Sequence, residues 1–527
     1  MKRLILVIAL AVCLMMAACT PSPEETPGGP TDPAAQAPFP SATFSPNIPT
    51  STQSPSATVE ISNPDFEPSS CPFEIPYNMR ITCGYVSVPE MHDEPAGDRI
   101  RLAVAVVKDF STTHQPDPVI LLTGGPGEKT IHNGGDIAVL LAHTLPDRDL
   151  ILFDQRGVGL SEPALDCPGW VEAQYDVLDE SDQYVVMQQP FDALVECRDE
   201  LVERGVNLSA YNTTQSAADV NAIRQALGYE QLNLLGGSYG SFLAQAVGRD
   251  FPEIVRSMVI NSVWPLEQSF TVNSPVITFK AVEKFLDACA ADPACDQAYP
   301  DLENVLFAVV DRLNENPIEI TTSHILTGQA FDVVLTGDRV YSSLISHLYS
   351  MSLIPRLPQA IYDVYNGDYE LITQLQGTSL AMFDLMSRGM TYSVVCREDL
   401  IGMGPEDVVA AYDQLPDMLW EGIDEQFAFD HGIFGVCELW DVPEADPSFK
   451  QPLTGDLPAL LLEGEFDPVT PVSYAEVVEA HLSNSSLFVF PGVGHDVVSS
   501  TTCARQLIGA FIQDPAEQLD SSCITEY

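Results

Sequence analysis

The stretch Gln231-Leu-Asn-Leu-Leu235, followed by Gly236-Gly-Ser238-Tyr-Gly240, decides the fold of this chain of 527 residues. The mostly apolar run is typical of a strand buried on both faces, and a helical segment begins at about Ser241. In a strand, sharp turn and helix of this kind, the turn lifts the serine hydroxyl above the sheet. The helix N-terminus supplies free N–H groups and partial positive charge. The pattern therefore predicts Ser238 as a nucleophile.

Further short apolar runs end in polar turns and predict an α/β fold with a mainly parallel sheet. A helix is expected from about Ser216, with Ser216 and Asp219 in a capping box and Gly228 at its end. The predicted strands are 100–107, 118–122, 149–153, 458–462 and 487–490.

Two residues that could assist the serine follow late strands. Asp467 comes after the run 458–462, and His495 lies in a Gly-rich loop after 487–490. Singly, these could be a turn aspartate and a surface histidine. The order Ser, Asp, His, with each residue after a strand, is that of α/β-hydrolases, so we predict a catalytic triad of Ser238, Asp467 and His495.

Several motifs resemble those of proline iminopeptidases and tripeptidyl aminopeptidases, which are serine exopeptidases with the α/β-hydrolase fold. They are Gly-Gly-Pro-Gly at 124–127, Asp-Gln-Arg-Gly at 154–157, Gly-Gly-Ser-Tyr-Gly at 236–240, and 464–471 together with Gly494-His495 and Cys503. The resemblance covers most of 71–523. Thr123 stands where many relatives have His, so any role of that histidine is absent here.

The first Gly-rich turn is expected to stabilise an oxyanion, which needs two N–H donors already in place. One donor should be the backbone N–H of Tyr239, and the other that of Gly125, with Gly124 as the next candidate. A purely structural loop is the alternative. Arg156 is expected to form a buried structural ion pair rather than to act in catalysis.

A mostly helical cap is predicted at 265–451, inserted between two parts of the core, 71–264 and 452–527. Within it, Tyr392–Asp399 looks like a strand that leads into carboxylates. In the enzymes that this chain resembles, acids of the cap bind the free α-amine of the substrate, which makes Glu398 and Asp399 candidates. They could equally be loop acids beside a Cys396–Cys437 bridge.

The N-terminus predicts export. A short basic start and an apolar run end in Met16-Ala-Ala-Cys19, which resembles a lipobox, so that 1–19 is a lipoprotein signal peptide and Cys19 is lipidated. An ordinary secretory signal cut near Ala18 is the alternative. Residues 20–70, rich in Pro, Ser and Thr, should form a disordered tether. The lipid would anchor the catalytic body to the membrane of the cell envelope, outside the cytoplasm.

Ten cysteines remain after Cys13 and Cys19 are set aside, an even number that suits an oxidising compartment. No Cys-x-x-Cys pair occurs, which disfavours a zinc site, and we predict neither metal nor cofactor. The sequence does not fix the connectivity. Pairing of nearest neighbours gives Cys71–Cys83, Cys167–Cys197, Cys289–Cys295, Cys396–Cys437 and Cys503–Cys523.

The charge of the chain excludes one class of partner. The net charge of −52 argues against nucleic-acid binding, which needs a basic face. We therefore predict an exported serine hydrolase, namely an aminopeptidase that releases aminoacyl to tripeptidyl units from peptides. An esterase or amidase with the same triad, and a non-catalytic lipoprotein that binds a ligand, are the alternatives.

Overall fold

A computed structural model describes residues 66–526, with the exception of 110, 112, 143, 146 and 416–430. The predicted signal peptide, Cys19 and the tether as far as residue 65 lie outside the described residues. Within the described part of the chain, no helix is both long enough and apolar enough to cross a bilayer.

Nine strands of the described chain form one sheet, in the order β1-β2-β3-β5-β4-β6-β7-β10-β11. The strands β5, β4, β6, β7, β10 and β11 are parallel, and β1, β2 and β3 are antiparallel at one side. Their bounds are β1 Phe66–Ser69, β2 Arg80–Pro89, β3 Arg99–Lys108, β4 Val119–Leu122, β5 Leu150–Phe153, β6 Leu232–Gly237, β7 Val255–Asn261, β10 Ala459–Gly464 and β11 Ser485–Phe490.

Helices cover the sheet, as its nearly all-buried central strands require. Those outside the insertion are Gly134–Ala142, Pro168–Asp176, Gln183–Glu203, Thr213–Leu227, Tyr239–Asp250, Val472–His481, Val497–Ser500 and Thr502–Gln513.

The segment between β7 and β10 is mainly helical, but it also contains an antiparallel hairpin of β8 Ile318–Ser323 and β9 Ala330–Leu335. Its helices in the described residues are Phe270–Ala291, Pro293–Ala298, Leu302–Glu315, Gly337–His347, Leu357–Asn366, Glu370–Leu380, Arg388–Val394, Pro405–Tyr412 and Ile433–Trp440. Many of these helices pack around a second apolar core, separate from the one beneath the sheet. We call 265–451 the insertion.

Three details of the predicted structure were wrong. The first strand, β1, begins at Phe66, inside the predicted tether, because the Phe66 ring is buried against Gly84 of β2. The helix expected at Ser216 begins at Thr213, because the Asn212 side chain accepts the N–H of Gln215. It ends at Gly228 as predicted.

The third concerns Tyr392–Asp399, which is helical rather than strand-like. The helix Arg388–Val394 continues into a π-helical turn over Val395–Asp399. A short buried apolar run does not distinguish a strand from a buried helix by periodicity alone.

The described cysteines form five disulfides, in the pairs expected from nearest neighbours: Cys71–Cys83, Cys167–Cys197, Cys289–Cys295, Cys396–Cys437 and Cys503–Cys523. Arg156 forms the predicted buried ion pair. Its guanidinium binds both carboxylate oxygens of Asp219 at 2.7 Å, and both side chains are fully buried.

Candidate active site

Ser238 occupies the sharp turn between β6 and the helix Tyr239–Asp250. Its φ of 55° is unusual for a residue other than glycine, and strain of this kind is concentrated at functional sites. A Cβ atom on Gly240 would lie 1.8 Å from the carbonyl oxygen of Leu122, so only glycine lets this turn pack against β4. The local sequence thus fixes Ser238 at the carboxyl edge of the sheet.

Asp467 follows β10 at the same edge and is held by several hydrogen bonds. Its Oδ1 accepts the N–H groups of Val469 and Thr470, each at 2.8 Å. Its Oδ2 accepts the Thr470 hydroxyl at 2.8 Å and His495 Nδ1 at 2.7 Å. Burial alone would raise the pKa of Asp467, but His495 and these hydrogen bonds lower it below its usual value. Asp467 is therefore a carboxylate.

His495 lies in the loop after β11, almost fully buried. Its carbonyl oxygen accepts a hydrogen bond from the Ser262 hydroxyl, and the Tyr349 ring of the insertion packs with its centroid 4.8 Å from that of the imidazole. Because Nδ1 faces Asp467, Nε2 is the nitrogen left to accept a proton from a nucleophile. The fold thus brings Asp467 and His495 into direct contact and sets Ser238 two strands away, on the same edge of the sheet.

The loop after β4 contains Gly125 and Gly124, the two candidates for one of the predicted oxyanion donors. The N–H of Gly124 donates to Glu128 Oε2 at 3.0 Å, so Gly125 remains the candidate of the two. Gly125 has a φ of 105°, in the region that favours glycine. The other predicted donor, Tyr239 N–H, is at the first position of a helix, where backbone N–H groups have no intrahelical partner.

A segment of the insertion runs along this loop. The Thr391 hydroxyl donates to the carbonyl oxygen of Pro126 at 2.7 Å, and the Ser387 N–H donates to that of Gly127 at 2.8 Å. The loop after β4 is therefore held by hydrogen bonds to the insertion as well as by the one between its own Gly124 and Glu128.

Glu128 is a buried acid that sequence reasoning missed. Burial raises its pKa to about 7, the nearby charge of Asp496 adds to this, and the bond from Gly124 N–H opposes it. Burial also raises the pKa of Asp496, the residue after His495. The sequence offered one signal, an acid directly after Gly-Gly-Pro-Gly. It did not indicate that Asp496 is a neighbour of Glu128, because the two residues are far apart along the chain.

The two candidate acids of the insertion are both buried, and both accept hydrogen bonds, Glu398 from the core and Asp399 from within the insertion. Glu398 accepts the N–H of Thr213 at 2.8 Å and also the Thr213 hydroxyl, which in turn lies 2.8 Å from the Tyr239 hydroxyl. Burial raises the pKa of Glu398 to about 7. A chain of hydrogen bonds thus joins Glu398 to the side chain of the residue after Ser238.

Asp399 accepts the N–H groups of Phe270 and Thr271, each at 2.8 Å, at the start of the first long helix of the insertion. A carboxylate offers about four lone-pair positions, so these two bonds leave capacity for a further donor. Glu398 likewise accepts two hydrogen bonds, both from Thr213, and has capacity for a further donor.

Comparison with known proteins identifies the family of this chain. A model for the alpha/beta hydrolase fold matches residues 117–302, and a model for TAP-like proteins matches 428–523. Carboxylesterase B of Mycobacterium tuberculosis (strain CDC 1551 / Oshkosh) is 32% identical over 446 residues, which cover 79% of this chain and 81% of that protein.

Two further relatives have names that refer to peptide cleavage. Serine protease Hip1 of Mycobacterium tuberculosis (strain ATCC 25618 / H37Rv) is 26% identical over 467 residues, 82% of this chain and 84% of that protein. Tripeptidyl aminopeptidase of Streptomyces lividans is 33% identical over 207 residues, 38% of each chain.

Proposed function

The chain belongs to the α/β-hydrolase family and is a serine hydrolase, and we propose that it is an exported aminopeptidase that releases aminoacyl to tripeptidyl units from peptides. The observation that carries the proposal is the hydrogen bond from His495 to Asp467 at the sheet edge where Ser238 occupies its strained turn. The relatives named as a serine protease and a tripeptidyl aminopeptidase support a peptide as the substrate.

In the proposed first half-reaction, Ser238 Oγ attacks the peptide carbonyl carbon while His495 Nε2 takes the hydroxyl proton. The N–H groups of Gly125 and Tyr239 stabilise the negative charge on the carbonyl oxygen. Asp467 holds the imidazole in the required tautomer and stabilises the imidazolium. His495 then gives its proton to the leaving amine as the C–N bond breaks, and an acyl-enzyme on Ser238 remains.

In the second half-reaction, water attacks the ester carbonyl and gives a proton to His495. The Ser238 Oγ–acyl bond breaks, the proton passes to Ser238 Oγ, and the short N-terminal unit leaves as a carboxylic acid. The acyl group on Ser238 is formed and removed within one cycle and His495 gives up each proton it takes, so the enzyme returns to its starting form.

The restriction to free N-termini is assigned to Glu398 and Asp399. An α-amine is cationic below about pH 8 and needs a fixed carboxylate to recognise it. The hydrogen bonds that join Glu398 through Thr213 to Tyr239 support this assignment, because they relate the carboxyl to the residue next to the nucleophile. The insertion would also limit how much chain extends beyond the amine.

A substrate panel tests the proposal. It compares aminoacyl, dipeptidyl and tripeptidyl amides of one fluorogenic amine, their N-acetylated forms, and small neutral esters. We expect turnover of the free-amine substrates and its loss on acetylation. Equal rates on blocked and free peptides would contradict an aminopeptidase.

An esterase or amidase is the second candidate, and the relative named Carboxylesterase B favours it. The same triad cleaves esters, so ester turnover alone does not decide between the two. Efficient turnover of the esters with none of the free-amine peptides would establish this alternative.

The nucleophile has its own test. Ser238→Ala should lose on the order of 10³-fold or more in kcat, since members of a triad act as a unit. A fluorophosphonate probe should label the wild type and not the variant. Ser181→Ala, on the surface, is the control and should label normally. Labelling that persists in Ser238→Ala would refute the assignment.

Export and a lipid anchor at Cys19 complete the proposal. The five disulfides of the described residues support an oxidising compartment outside the cytoplasm. Cys19→Ala should move the protein from the membrane fraction to the soluble extracytoplasmic fraction and abolish incorporation of labelled fatty acid. An unchanged membrane association with no lipid label in the wild type would contradict lipidation.

A further inference from the structure

Glu463, near the end of β10, is a second carboxyl group at the triad acid, and it has no part in the mechanism above. The side chain is fully buried. Its Oε2 accepts the N–H of Val263 at 2.9 Å, and its Oε1 accepts the N–H of Gly464 at 3.3 Å. Its carboxyl also lies within hydrogen-bonding reach of that of Asp467, four residues further along the chain.

Two buried carboxyl groups in contact cannot both be ionised without large repulsion, so one of them holds a proton. Asp467 receives the imidazole, a hydroxyl and two backbone N–H groups, all of which favour its charged form. Glu463 receives backbone N–H groups only, and no Lys or Arg of the described residues forms an ion pair with it. The charge therefore resides on Asp467 and the proton on Glu463.

We propose that Glu463 is a positioning residue, a neutral carboxylic acid that donates its O–H to the Asp467 carboxylate and so limits how strongly Asp467 raises the proton affinity of His495. The inference rests on the triad of the proposed function. Burial and the charge of Asp467 raise the pKa of Glu463 well above its usual value, in agreement with this state.

The contacts of Glu463 also explain how it acts on the histidine. Val263, whose N–H it accepts, follows Ser262, and the Ser262 hydroxyl donates to the carbonyl oxygen of His495. A single buried carboxyl group thus connects the end of β10 to the segment after β7 whose Ser262 holds the His495 carbonyl oxygen. The proton stays on Glu463 through the catalytic cycle, so no bond is formed or broken there.

Within the described part of the chain, few other ionisable groups face Glu463, Asp467 and His495. From its own loop Glu463 faces Asp467, and through Asp467 it faces His495. His495 is flanked by Asp496, which Arg505 and Glu128 influence in turn, and by the Tyr349 ring from the insertion. These groups are unchanged in the variants below, so a shift in the pH profile reports on Glu463.

The first experiment measures the pH profile of kcat/KM, whose acid limb reports the pKa of His495 in the free enzyme. Glu463→Gln keeps a neutral N–H donor of similar shape, so its acid limb should match that of the wild type. Glu463→Met removes the donor, leaves Asp467 more basic, and should move the acid limb upward by about one pH unit. An unmoved limb in Glu463→Met, or an equal shift in both variants, would overturn the proposal.

A second measurement needs neither a substrate nor the methionine variant. The infrared difference spectrum between the wild type and Glu463→Gln at neutral pH should show the carbonyl band of one protonated carboxylic acid, which shifts on deuteration. Absence of that band would overturn the proposal. Its presence in an enzyme that cleaves none of the substrates in the panel would refute the proposed function and leave the role of Glu463 intact.

Discussion

Asp467 at the sheet edge and Glu398 in the insertion are both buried carboxyl groups that accept backbone N–H and threonine hydroxyl bonds. Their pKa values nevertheless move in opposite directions: that of Asp467 falls below its usual value, and that of Glu398 rises to about 7. Asp467 accepts one more backbone N–H than Glu398, but the main difference lies in one partner. Asp467 contacts an imidazole that can carry charge, whereas the groups that bind Glu398 are neutral.

This contrast separates a carboxyl group of fixed charge from one whose charge depends on pH. Burial favours the neutral form of any carboxyl group, and hydrogen bonds from neutral donors only partly oppose it. Asp467 stays ionised across the neutral range. In the insertion, Glu398 changes its charge within that range, so recognition of an amine there would vary with pH while the triad acid stayed ionised.

The largest expected effect comes from removing the fixed charge. Asp467→Asn preserves size but replaces an acceptor with an amide, so His495 loses the partner that sets its tautomer. The value of kcat/KM should fall about 10³–10⁴-fold on peptides and esters alike. Asp446→Asn, an exposed helix cap elsewhere, is the matched control and should keep full activity. A loss on peptides alone would show that Asp467 serves substrate binding instead.

An intermediate effect concerns stability, and it has opposite signs in the two regions. Native Glu398 binds its proton up to about pH 7, while the unfolded chain releases it near 4.5. The native state thus holds more protons between these values, and the free energy of unfolding should fall as pH rises through that window. The fall attributable to Glu398 is on the order of 3 kcal/mol.

Denaturant unfolding at pH 5 and pH 8 measures this effect. Glu398→Gln cannot ionise and should show a smaller loss of stability between the two pH values than the wild type. Glu303→Gln, on the surface of the insertion, should leave the pH dependence unchanged. Asp467, with its lowered pKa, should instead lose its stabilising contribution only in acid, below its unfolded value. Equal slopes in wild type and Glu398→Gln would contradict the titration of Glu398.

The smallest expected effect is on substrate affinity. If Glu398 pairs with the α-amine, Glu398→Gln should raise KM for free-amine peptides by about tenfold, because one hydrogen bond between charged groups is lost. KM for small neutral esters should not change. In the wild type, KM for the peptides should fall as pH rises through 7, because Glu398 gains its charge there. An equal rise in KM on both substrate classes would indicate a structural role.

The sequence predicts the sheet edge well for a physical reason. Strands buried on both faces have short, nearly all-apolar sequences, and β4, β5, β6 and β10 follow this pattern. Ser238 directly follows β6, Asp467 lies in the loop after β10, and His495 lies in the loop after the less buried β11. Their positions depend on the succession of a strand and the loop that follows it, which can be read directly from the sequence.

The insertion is predicted less well, because its structure depends on contacts between distant segments. In β8 the alternation of Ile318 and Ile320 with polar residues was a signal for a strand within a mainly helical region. The π-helical turn that orients Glu398 had no comparable signal. The roles of Glu128 and Glu463 likewise depend on neighbours that only the folded chain brings together.

The hydrogen bonds that the Thr391 hydroxyl donates to the Pro126 carbonyl oxygen and that the Thr213 N–H donates to Glu398 have a consequence for engineering. Both bonds join the insertion to the core, one to the loop after β4 and the other to the start of the helix Thr213–Leu227. The insertion is therefore not a unit that can be exchanged independently of the core. A chimera that grafts the insertion of another hydrolase onto this core would remove supports of the loop after β4 together with the specificity it was meant to replace. Redesign should begin from substitutions within the insertion that keep Thr391 and Glu398 in place.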